Sequence, residues 1–194
     1  MAFREPSRVH PLKIVAVNGS TQQPSRTFAL VRALIAELDA RLHVDAHIVN
    51  LADIARPLGS ALWRTELPPE IEAELQAVEG ADLLIAASPV YRGAYPGHFK
   101  HLFDLVGQEA LVDKPVLLAA TGGSDRHALV LEHHLRPLFS FLQALTLPIG
   151  VYAATADFDG YAVRSPALQD RIRLAADRAA SHFAAHRRVT LKAA

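Results

Sequence analysis

Short apolar runs alternate with longer amphipathic segments along the chain. Residues 12–17 are apolar and partly β-branched, which predicts a buried strand, and residues 25–41 place apolar side chains at helical spacing. Residues 43–48 alternate polar and apolar side chains, so we expect a strand at a sheet edge with one wetter face. The chain therefore opens with a predicted strand–helix–strand unit.

The same alternation continues beyond residue 67. The predicted elements are a helix over 70–80, a strand over 82–87, a helix over 98–106, a strand over 115–120, a helix over 127–145, a strand over 147–154 and a helix from 166 to about 188. Residues 52–67 are predicted to form a loop, because Pro57 and Gly59 interrupt any regular spacing of apolar residues. Pro137 lies inside the long predicted helix and predicts a bent or widened turn there.

Five strands alternating with helices predict an α/β fold. We expect right-handed βαβ units and a doubly wound, five-stranded parallel sheet with helices on both faces. If the strand order is 2-1-3-4-5, the first, third and fourth strands are neighbours. We expect a loose arm over 1–11, one domain over 12–188 and a short tail over 189–194, since this length suits one domain.

Composition narrows the expected function. The chain has no cysteine, which excludes disulfides and thiolate chemistry and suits a cytoplasmic protein. Its formal net charge is zero, so nucleic acid and anionic membranes are poor expected partners. No apolar run reaches the roughly 18 residues that a membrane span needs, and the polar first eleven residues contain no stretch of signal-peptide type.

Candidate chemistry lies in loops at the carboxyl ends of three predicted strands. The first loop, residues 19–27, joins a strand to a helix, where backbone N–H groups and the helix dipole favour a phosphate. It carries Ser20, Ser25, Arg26 and Thr27, but it matches neither a P-loop nor a dinucleotide fingerprint. The alternative is an ordinary strand-to-helix turn with a serine cap.

The second and third loops offer room for a flat ligand. The second, residues 88–97, carries Tyr91 and Tyr95 close to Gly93, and tyrosine provides a stacking face with a hydroxyl. The third begins Thr121-Gly122-Gly123 and offers N–H groups without bulk. With strand order 2-1-3-4-5 the three loops would converge into a phosphate pocket and a slot for a ring system. The alternative for the tyrosines is core packing near a turn.

Several other chemistries lack the residues they need. Acyl transfer is disfavoured because the chain has no Gly-x-Ser-x-Gly elbow and no cysteine. The pairs His98/His101 and His182/His186 have helical spacing but no acidic partner in a metal motif, so we expect no metal site. Paired carboxylates for glycoside chemistry are not evident in the three loops. A reaction carried by a cofactor, such as flavin-mediated hydride transfer, fits what is present.

The three loops resemble those of NAD(P)H-dependent FMN reductases of flavodoxin-like fold. The segments that carry the resemblance are residues 17–20, 24–27, 88–97 and 120–123, and the likeness extends over about 13–188. Within the family the chain is similar to the FMN reductases of methanesulfonate and alkanesulfonate utilisation, which supply reduced flavin to a separate two-component monooxygenase. The resemblance implies FMN with NADH or NADPH as cofactors, NADH being weakly favoured, and a homo-oligomer, either dimer or tetramer.

The resemblance also implies roles for individual residues. The residues that would hold the FMN phosphate are Ser20, Ser25, Arg26 and Thr27. The residues that would line the isoalloxazine ring and ribityl chain are Pro89, Val90, Tyr91 and Arg92, with Gly93 and Tyr95 nearby and Thr121, Gly122 and Gly123 at the ring edge. In the family the nicotinamide stacks on the open face of the flavin and passes hydride to N5. Thr21 and Gln22 depart from the Pro-Arg common in the family, which leaves one contact undefined.

The long predicted helix also departs from the alkanesulfonate branch. That branch has a tyrosine in a π-type bulge of this helix, at an oligomer interface, whereas this chain has His133 followed by His134. We hypothesise that His133 lies at a subunit interface close to the flavin and affects whether flavin stays bound. A solvent-facing pair of histidines is the alternative.

Two other functions stay open from the sequence. A quinone or azo-dye reductase would keep FMN as a tight prosthetic group. A flavodoxin-like electron carrier would not oxidise NAD(P)H, and the neutral charge of the chain disfavours it because carriers commonly use charge for steering. The choice between NADH and NADPH is open too, because the sequence places none of Arg92, Arg126 and Arg164 at a 2′-phosphate.

Overall fold

A computed structural model describes residues 10–193 of the chain, with side chains described through residue 184. Most of the predicted N-terminal arm, residues 1–9, lies outside this range. Among the described residues, no helix is both long enough and apolar enough to cross a membrane.

A parallel sheet forms the centre of the fold. Its strands are β1 (Leu12–Asn18), β2 (Val44–Asn50), β3 (Leu83–Pro89), β4 (Pro115–Gly122), β5 (Leu145–Thr146) and β6 (Val151–Ala154). Their order is β2-β1-β3-β4-β5. Strand β5 pairs with the start of β4, and β6 pairs with the last four residues of β4 on the same side. This confirms the predicted flavodoxin-like order 2-1-3-4-5, with β2 at the edge. The predicted strand over 147–154 is corrected to β6 alone, with the separate two-residue β5 before it, because Pro148 between them has no N–H for the ladder.

Helices cover both faces of the sheet, as predicted. They are α1 (Arg26–Asp39), α2 (Leu51–Ser60), α3 (Pro69–Glu79), α4 (Gly97–Leu105), α5 (Arg136–Phe141) and α6 (Pro166–Ala193). Alternate residues of each strand face opposite sides: Val15 and Val17 pack with α2, α3 and α4, whereas Ile14 and Ala16 pack with α1 and α6. The two apolar clusters hold the carboxyl edge of the sheet in place.

Helix α2 corrects the loop predicted over 52–67. Its residues Leu51, Ile54 and Leu58 are buried at helical spacing against the sheet. Pro57 lies within the helix and removes one backbone hydrogen bond. Burial of the apolar stripe outweighs that loss, because packing against the sheet decides most of a short helix's stability.

The predicted long helix over 127–145 is also corrected. The structure has a 3₁₀ turn at Asp125–His127, a π-helical segment at Leu131–Leu135 and then α5, which ends at Phe141. The N–H of Arg136 donates to the Leu131 carbonyl, five residues back. Pro137 follows and has no N–H for the ordinary bond four residues back, so it favours the wider turn. The widened turn that Pro137 predicts is therefore present.

The C-terminal part of the fold returns to the same edge of the sheet. A 3₁₀ turn at Thr155–Asp157 leads into a small hairpin of β7 (Phe158–Asp159) and β8 (Ala162–Val163). Gly160 in the hairpin turn has a φ of 58°, which favours glycine. The final helix α6 covers residues of the predicted tail 189–194, whose side chains lie outside the described residues.

Candidate functional site

Hydrogen bonds draw the three predicted loops together at the carboxyl edge of the sheet. The N–H of Gly19 donates to the Ala87 carbonyl (2.7 Å), and the N–H of Val90 donates to the Thr121 carbonyl (2.7 Å). The hydroxyls of Thr27 and Thr121 share a buried hydrogen bond of 2.7 Å. These contacts join the first loop to β3, the second loop to β4, and α1 to β4. The convergence expected from the strand order is thus observed.

Gly19 is needed where β1 leaves the sheet. A Cβ atom at this position would lie 2.7 Å from Cδ2 of Phe99 and 3.0 Å from the carbonyl oxygen of Ala87. Phe99 is fully buried and cannot move away. The first loop can therefore approach β3 this closely only with glycine at its start.

A chain of polar side chains fixes the first loop to the start of α2. The amide of Asn18 donates to Asn50 Oδ1 (2.8 Å), and the amide of Asn50 donates to Asp53 Oδ2 (2.8 Å). The amide of Gln23, in the loop, donates to the other Asp53 oxygen (2.9 Å). Each carboxylate oxygen of Asp53 thus holds a different segment, which makes the loop rigid before any ligand binds.

The N-terminus of α1 points at the centre of the three loops. Ser25 is its N-cap, with extended backbone angles, and its Oγ accepts from the N–H of Phe28 (3.0 Å). The Ser25 hydroxyl proton is left for another partner. Thr27 and Thr121 use only one of their two hydroxyl protons in their shared bond. First-turn N–H groups and the helix dipole add to these donors, so the arrangement favours an anion.

Arg26 indicates most clearly which kind of ligand this site fits. Its Nε atom is buried and has no hydrogen-bond partner among the described residues. Its guanidinium carbon lies 5.7 Å from the ring centroid of Tyr161, which is in the β7–β8 turn. A buried guanidinium nitrogen without an acceptor is costly, and a bound phosphate oxygen would satisfy it.

These groups line a cavity of about 200 Å³. Among the predicted site residues, the structure brings together Ser20, Ser25, Arg26, Thr27, Pro89, Val90, Tyr91, Thr121, Gly122 and Gly123. Four residues that were not predicted as site residues also line it: Gln22, Pro24, Thr155 and Tyr161. The signal for Thr155 and Tyr161 was their position after the last strand of the sheet, where a fourth loop reaches the same edge.

Ser20 lines the cavity but is committed to the loop itself. Its side chain is 1% exposed. Its Oγ accepts from the N–H of Gln22 (3.2 Å) and donates to the Gln22 carbonyl (3.3 Å). Ser20 therefore shapes the first loop, while Ser25, Thr27 and Arg26 hold the unused donors.

Arg92 and Gly93 do not line this cavity. They form the two central residues of a tight turn, with φ angles of 54° and 92°. Tyr91 and Ala94 close the turn through two backbone hydrogen bonds of 2.8 and 3.3 Å. Positive φ at both central residues is the geometry of a type I′ turn, and it leaves the Arg92 side chain exposed at the tip.

Tyr95 and His133 line a second, larger cavity instead. It measures about 590 Å³, and its apolar lining comes mainly from α4, the π-helical segment and α5. The Tyr95 ring packs against Phe99 (centroids 5.7 Å apart) and meets His134 edge-on (6.2 Å). Phe141 at the rim is 84% exposed. We call this region the π-segment cavity.

Tyr152 supports the third loop from below. Its hydroxyl donates to the Ser124 carbonyl (2.5 Å). Burial raises the pKa of Tyr152, and the carboxylates of Asp125 and Asp157 raise it further, so the hydroxyl stays protonated. A Cβ on Gly122 would lie 2.2 Å from this hydroxyl oxygen, which explains the glycine there.

The described residues contain no group of three or more histidine or acidic side chains arranged to hold a metal ion. His101 uses its Nε2 against the carbonyls of Leu58 (3.1 Å) and Ala61 (2.9 Å). That contact links the end of α2 to α4. His101, one residue of the pair His98/His101, therefore has a structural role.

Comparison with known proteins agrees with this geometry. The family described as NADPH-dependent FMN reductase matches residues 12–159. The chain is 65% identical to the NADH-dependent FMN reductase SfnE of Pseudomonas putida, over 91% of this chain and 95% of that protein. It is 62% identical to an FMN reductase (NADPH) of Pseudomonas aeruginosa, over 89% and 93% of the two chains. The solved structure of an NADH:FMN oxidoreductase (EMOB) in apo form is 26% identical, with a TM-score of 0.78 over 88% of this chain and 89% of that one.

Proposed function

The chain belongs to the NADPH-dependent FMN reductase family, and from that premise we propose that it transfers hydride from NADH or NADPH to FMN and releases reduced flavin to a separate monooxygenase. The protein is an oxidoreductase, and its cofactors are FMN and a nicotinamide dinucleotide. The resemblance to reductases of methanesulfonate and alkanesulfonate utilisation supports a two-component monooxygenase as the partner.

The buried, unpartnered Nε of Arg26 is the observation that carries the flavin assignment. It lies beside the α1 N-terminus, the spare hydroxyl proton of Ser25 and the one proton that the Thr27–Thr121 pair leaves unused, so the donor set fits a phosphate monoester. FMN ends in such a monoester, whereas riboflavin does not. The fit therefore favours FMN over riboflavin, which has no phosphate for these donors.

The remaining cavity walls suit the rest of FMN. Pro89, Val90 and Tyr91 on one side and Gly122 and Gly123 on the other would flank the ribityl chain and the ring edge. Bound flavin supplies the hydride chemistry, as cofactors of this class do. The chain's own part is to hold the phosphate, fix the ring against the second loop and leave one ring face open to the nicotinamide.

An anaerobic titration tests this function. Purified protein would be mixed with excess FMN, then with NADH or NADPH, and flavin absorbance followed. Bleaching of many equivalents of FMN per subunit is expected, because released FMN would be turned over as a substrate. Bleaching that stops at one bound equivalent would instead indicate a quinone or azo-dye reductase. Failure to bind FMN would refute the proposed function.

The π-segment cavity supports a homo-oligomer, dimer or tetramer. Its apolar lining includes Leu138, Phe141 and Leu142, and burying a ring as exposed as Phe141 against another surface would be favourable. A second copy of the chain would cover this patch. His133 lies on the same cavity, so a subunit contact here would also bury it.

His133 is accordingly proposed to affect flavin retention from that interface. The variant His133→Ala is expected to change both the subunit assembly and the FMN dissociation constant. The matched control is His43→Ala, an exposed histidine next to the edge strand β2. If His133→Ala behaves like His43→Ala in sedimentation and in flavin titration, the histidine is a surface residue without this role.

A further inference from the structure

A small basic cavity is built from the same two loops as the cavity of about 200 Å³ that we propose to bind FMN, which we call the flavin-binding cavity. It measures about 150 Å³, and it is lined by Gly93, Arg126, His127, Leu129, Val130, His133 and His134. Its ionisable lining groups are one arginine and three histidines, without a carboxylate. We call it the basic cavity. Its charge makes it a candidate for an anionic ligand.

The carboxylates nearest in sequence form no ion pair with Arg126, although Glu132 interacts electrostatically with His133 in the cavity lining. Glu132 accepts two hydrogen bonds from Arg136, of 2.5 and 2.9 Å, and these lower the pKa of Glu132. The charge of Asp125 acts on the Tyr152 hydroxyl and raises the pKa of that group. Neither acid neutralises the basic cavity by pairing with its arginine.

The guanidinium of Arg126 has no hydrogen-bond or ion-pair partner within residues 10–184. Arg136, only ten residues away, shows the contrast, because it is paired with Glu132 and also donates to the Leu147 carbonyl. Arginine offers five N–H donors in a planar fork that matches two phosphate oxygens. Arg126 thus keeps its whole donor set for a ligand.

The two walls of the basic cavity continue the walls of the flavin-binding cavity. Gly93 follows Tyr91 by two residues in the closed turn of the second loop, and Tyr91 lines the flavin-binding cavity. Arg126 follows Gly123 by three residues in the third loop, and Gly123 also lines that cavity. A Cβ on Gly93 would meet nothing within 4 Å, so the space beside it is open.

We propose that the basic cavity binds the phosphates of the nicotinamide dinucleotide, with Arg126 as the main binding residue. This inference rests on the proposed function, in which the nicotinamide lies over the open face of the flavin. From there the dinucleotide must extend out of the flavin-binding cavity with its pyrophosphate, and NADPH carries a third phosphate on the adenosine ribose. Because the second and third loops each contribute residues to both cavities, we place the basic cavity along that exit, where Arg126 offers the positive charge that these groups need.

Arg126→Gln in the full, FMN-loaded chain tests the proposal. Dissociation constants of NAD⁺ and NADP⁺ would be measured by calorimetry, and KM values for NADH and NADPH by flavin reduction. We expect the dissociation constant of at least one dinucleotide to rise about tenfold, as when one charged hydrogen-bond donor is lost at a partly exposed site. Arg126→Lys should recover only part of the affinity, because lysine lacks the planar fork.

The pattern across the two dinucleotides identifies the phosphate. An equal loss for NAD⁺ and NADP⁺ assigns Arg126 to the pyrophosphate, whereas a loss confined to NADP⁺ assigns it to the 2′-phosphate. The matched control is Arg173→Gln on α6, where the arginine pairs with Asp170 at the surface. That variant loses the same charge and should leave both dissociation constants unchanged.

Two results separate the failure of this inference from the failure of the proposed function. If both dinucleotides bind Arg126→Gln within twofold of the unaltered chain, while the unaltered chain reduces FMN, the basic cavity has no such role. If the unaltered chain neither binds dinucleotide nor reduces FMN, the proposed function itself is wrong. Unchanged FMN affinity and melting temperature in Arg126→Gln would show that the flavin-binding cavity and the fold are intact.

Discussion

The proposed flavin-binding cavity and the π-segment cavity are built differently. Around α1, nearly every polar group is fixed by the protein itself: Asp53 holds two segments, and Ser25 caps the helix. The conspicuous exception is Arg26 Nε, which lacks a partner among the described residues. Around the π-helical segment, apolar side chains such as Phe141 face outward and the histidines are exposed.

The two cavities differ in the kind of binding partner that each one fits. The flavin-binding cavity is preorganised, so a small anionic ligand could accept its free hydrogen bonds without any change in the backbone. The π-segment cavity presents a larger and mainly apolar surface, which a ligand of that kind would not cover. We infer that the first region is specified for a cofactor and the second for another protein surface. Four predictions test this contrast, beginning with the largest effect.

Gly19→Ala should destabilise the fold most. The added methyl would overlap Phe99 and the backbone of β3, where neither can yield. We expect the free energy of unfolding to fall by about 3 kcal/mol, the upper range for overpacking a core. For a domain of this size that corresponds to a melting temperature lower by roughly 6–12 °C, measured by calorimetry without added flavin.

Gly123→Ala is the matched control for this variant. A Cβ on Gly123 would meet no atom within 4 Å, although it lies at the same edge of the sheet. Its melting temperature should stay within about 2 °C of the unaltered chain, as for most surface changes. An equal drop in melting temperature in the two variants would mean that the close contact of Gly19 with β3 does not limit what this position tolerates.

Arg26→Gln should weaken FMN binding more than it weakens the fold. Glutamine removes the charge and the unpartnered Nε, so we expect the FMN dissociation constant to rise about thirtyfold, or about 2 kcal/mol. Fluorescence quenching of the flavin would measure it, with riboflavin as the comparison ligand. Riboflavin binding should change little, because riboflavin has no phosphate. A similar loss for both flavins would place Arg26 at the ring instead.

The central strands could be predicted from local pattern, whereas the sheet order came from the resemblance to the flavodoxin-like family. Apolar runs of four to eight residues between helical segments leave few topologies for a parallel sheet, and the order 2-1-3-4-5 was confirmed. Helix α2 could not be predicted, because Pro57 and Gly59 argue against a helix and only burial against the sheet overrides them. The split of the last strand at Pro148 likewise depends on tertiary pairing with β4.

The same division holds for the site. Ser25, Arg26 and Thr27 were predictable, because a strand, a glycine and a capped helix follow one another in the sequence. Tyr161 was not, because it reaches Arg26 from a hairpin more than a hundred residues away. The placement of Arg92 outside the cavity depends on positive φ angles at Arg92 and Gly93. Arginine rarely adopts a positive φ, so the sequence does not predict this turn.

Phe141→Ser should separate the π-segment cavity from the flavin-binding cavity. In a monomer this exposed ring contributes little, so the unfolding free energy measured at high dilution should change by less than about 0.5 kcal/mol. Self-association should weaken about tenfold, since burying an aromatic ring at a contact provides at least that much. Analytical ultracentrifugation measures the association, and Tyr161→Ser, another exposed aromatic, is the control. Equal association constants in the two variants would leave Phe141 without a partner surface.

Arg136→Gln should produce the smallest effect and should depend on pH. Arg136 donates to Glu132 in the π-helical segment, and these bonds lower the pKa of Glu132. A carboxylate with a lowered pKa adds stability above its unfolded pKa and loses it as the pH falls through the folded pKa. Because Glu132 is half exposed, the pair contributes only about 0.5 kcal/mol at pH 7.

The flavin-binding cavity provides the contrast for this pH dependence, because none of its lining residues is a carboxylate. Urea unfolding between pH 3 and 7 should show the difference between the unaltered chain and Arg136→Gln shrinking toward pH 3, as Glu132 takes up its proton. The same series for Arg26→Gln should show a constant difference. If the difference in unfolding free energy for Arg26→Gln shrinks toward pH 3, Arg26 has an acidic partner in the protein. Its guanidinium would then not be free to bind a phosphate.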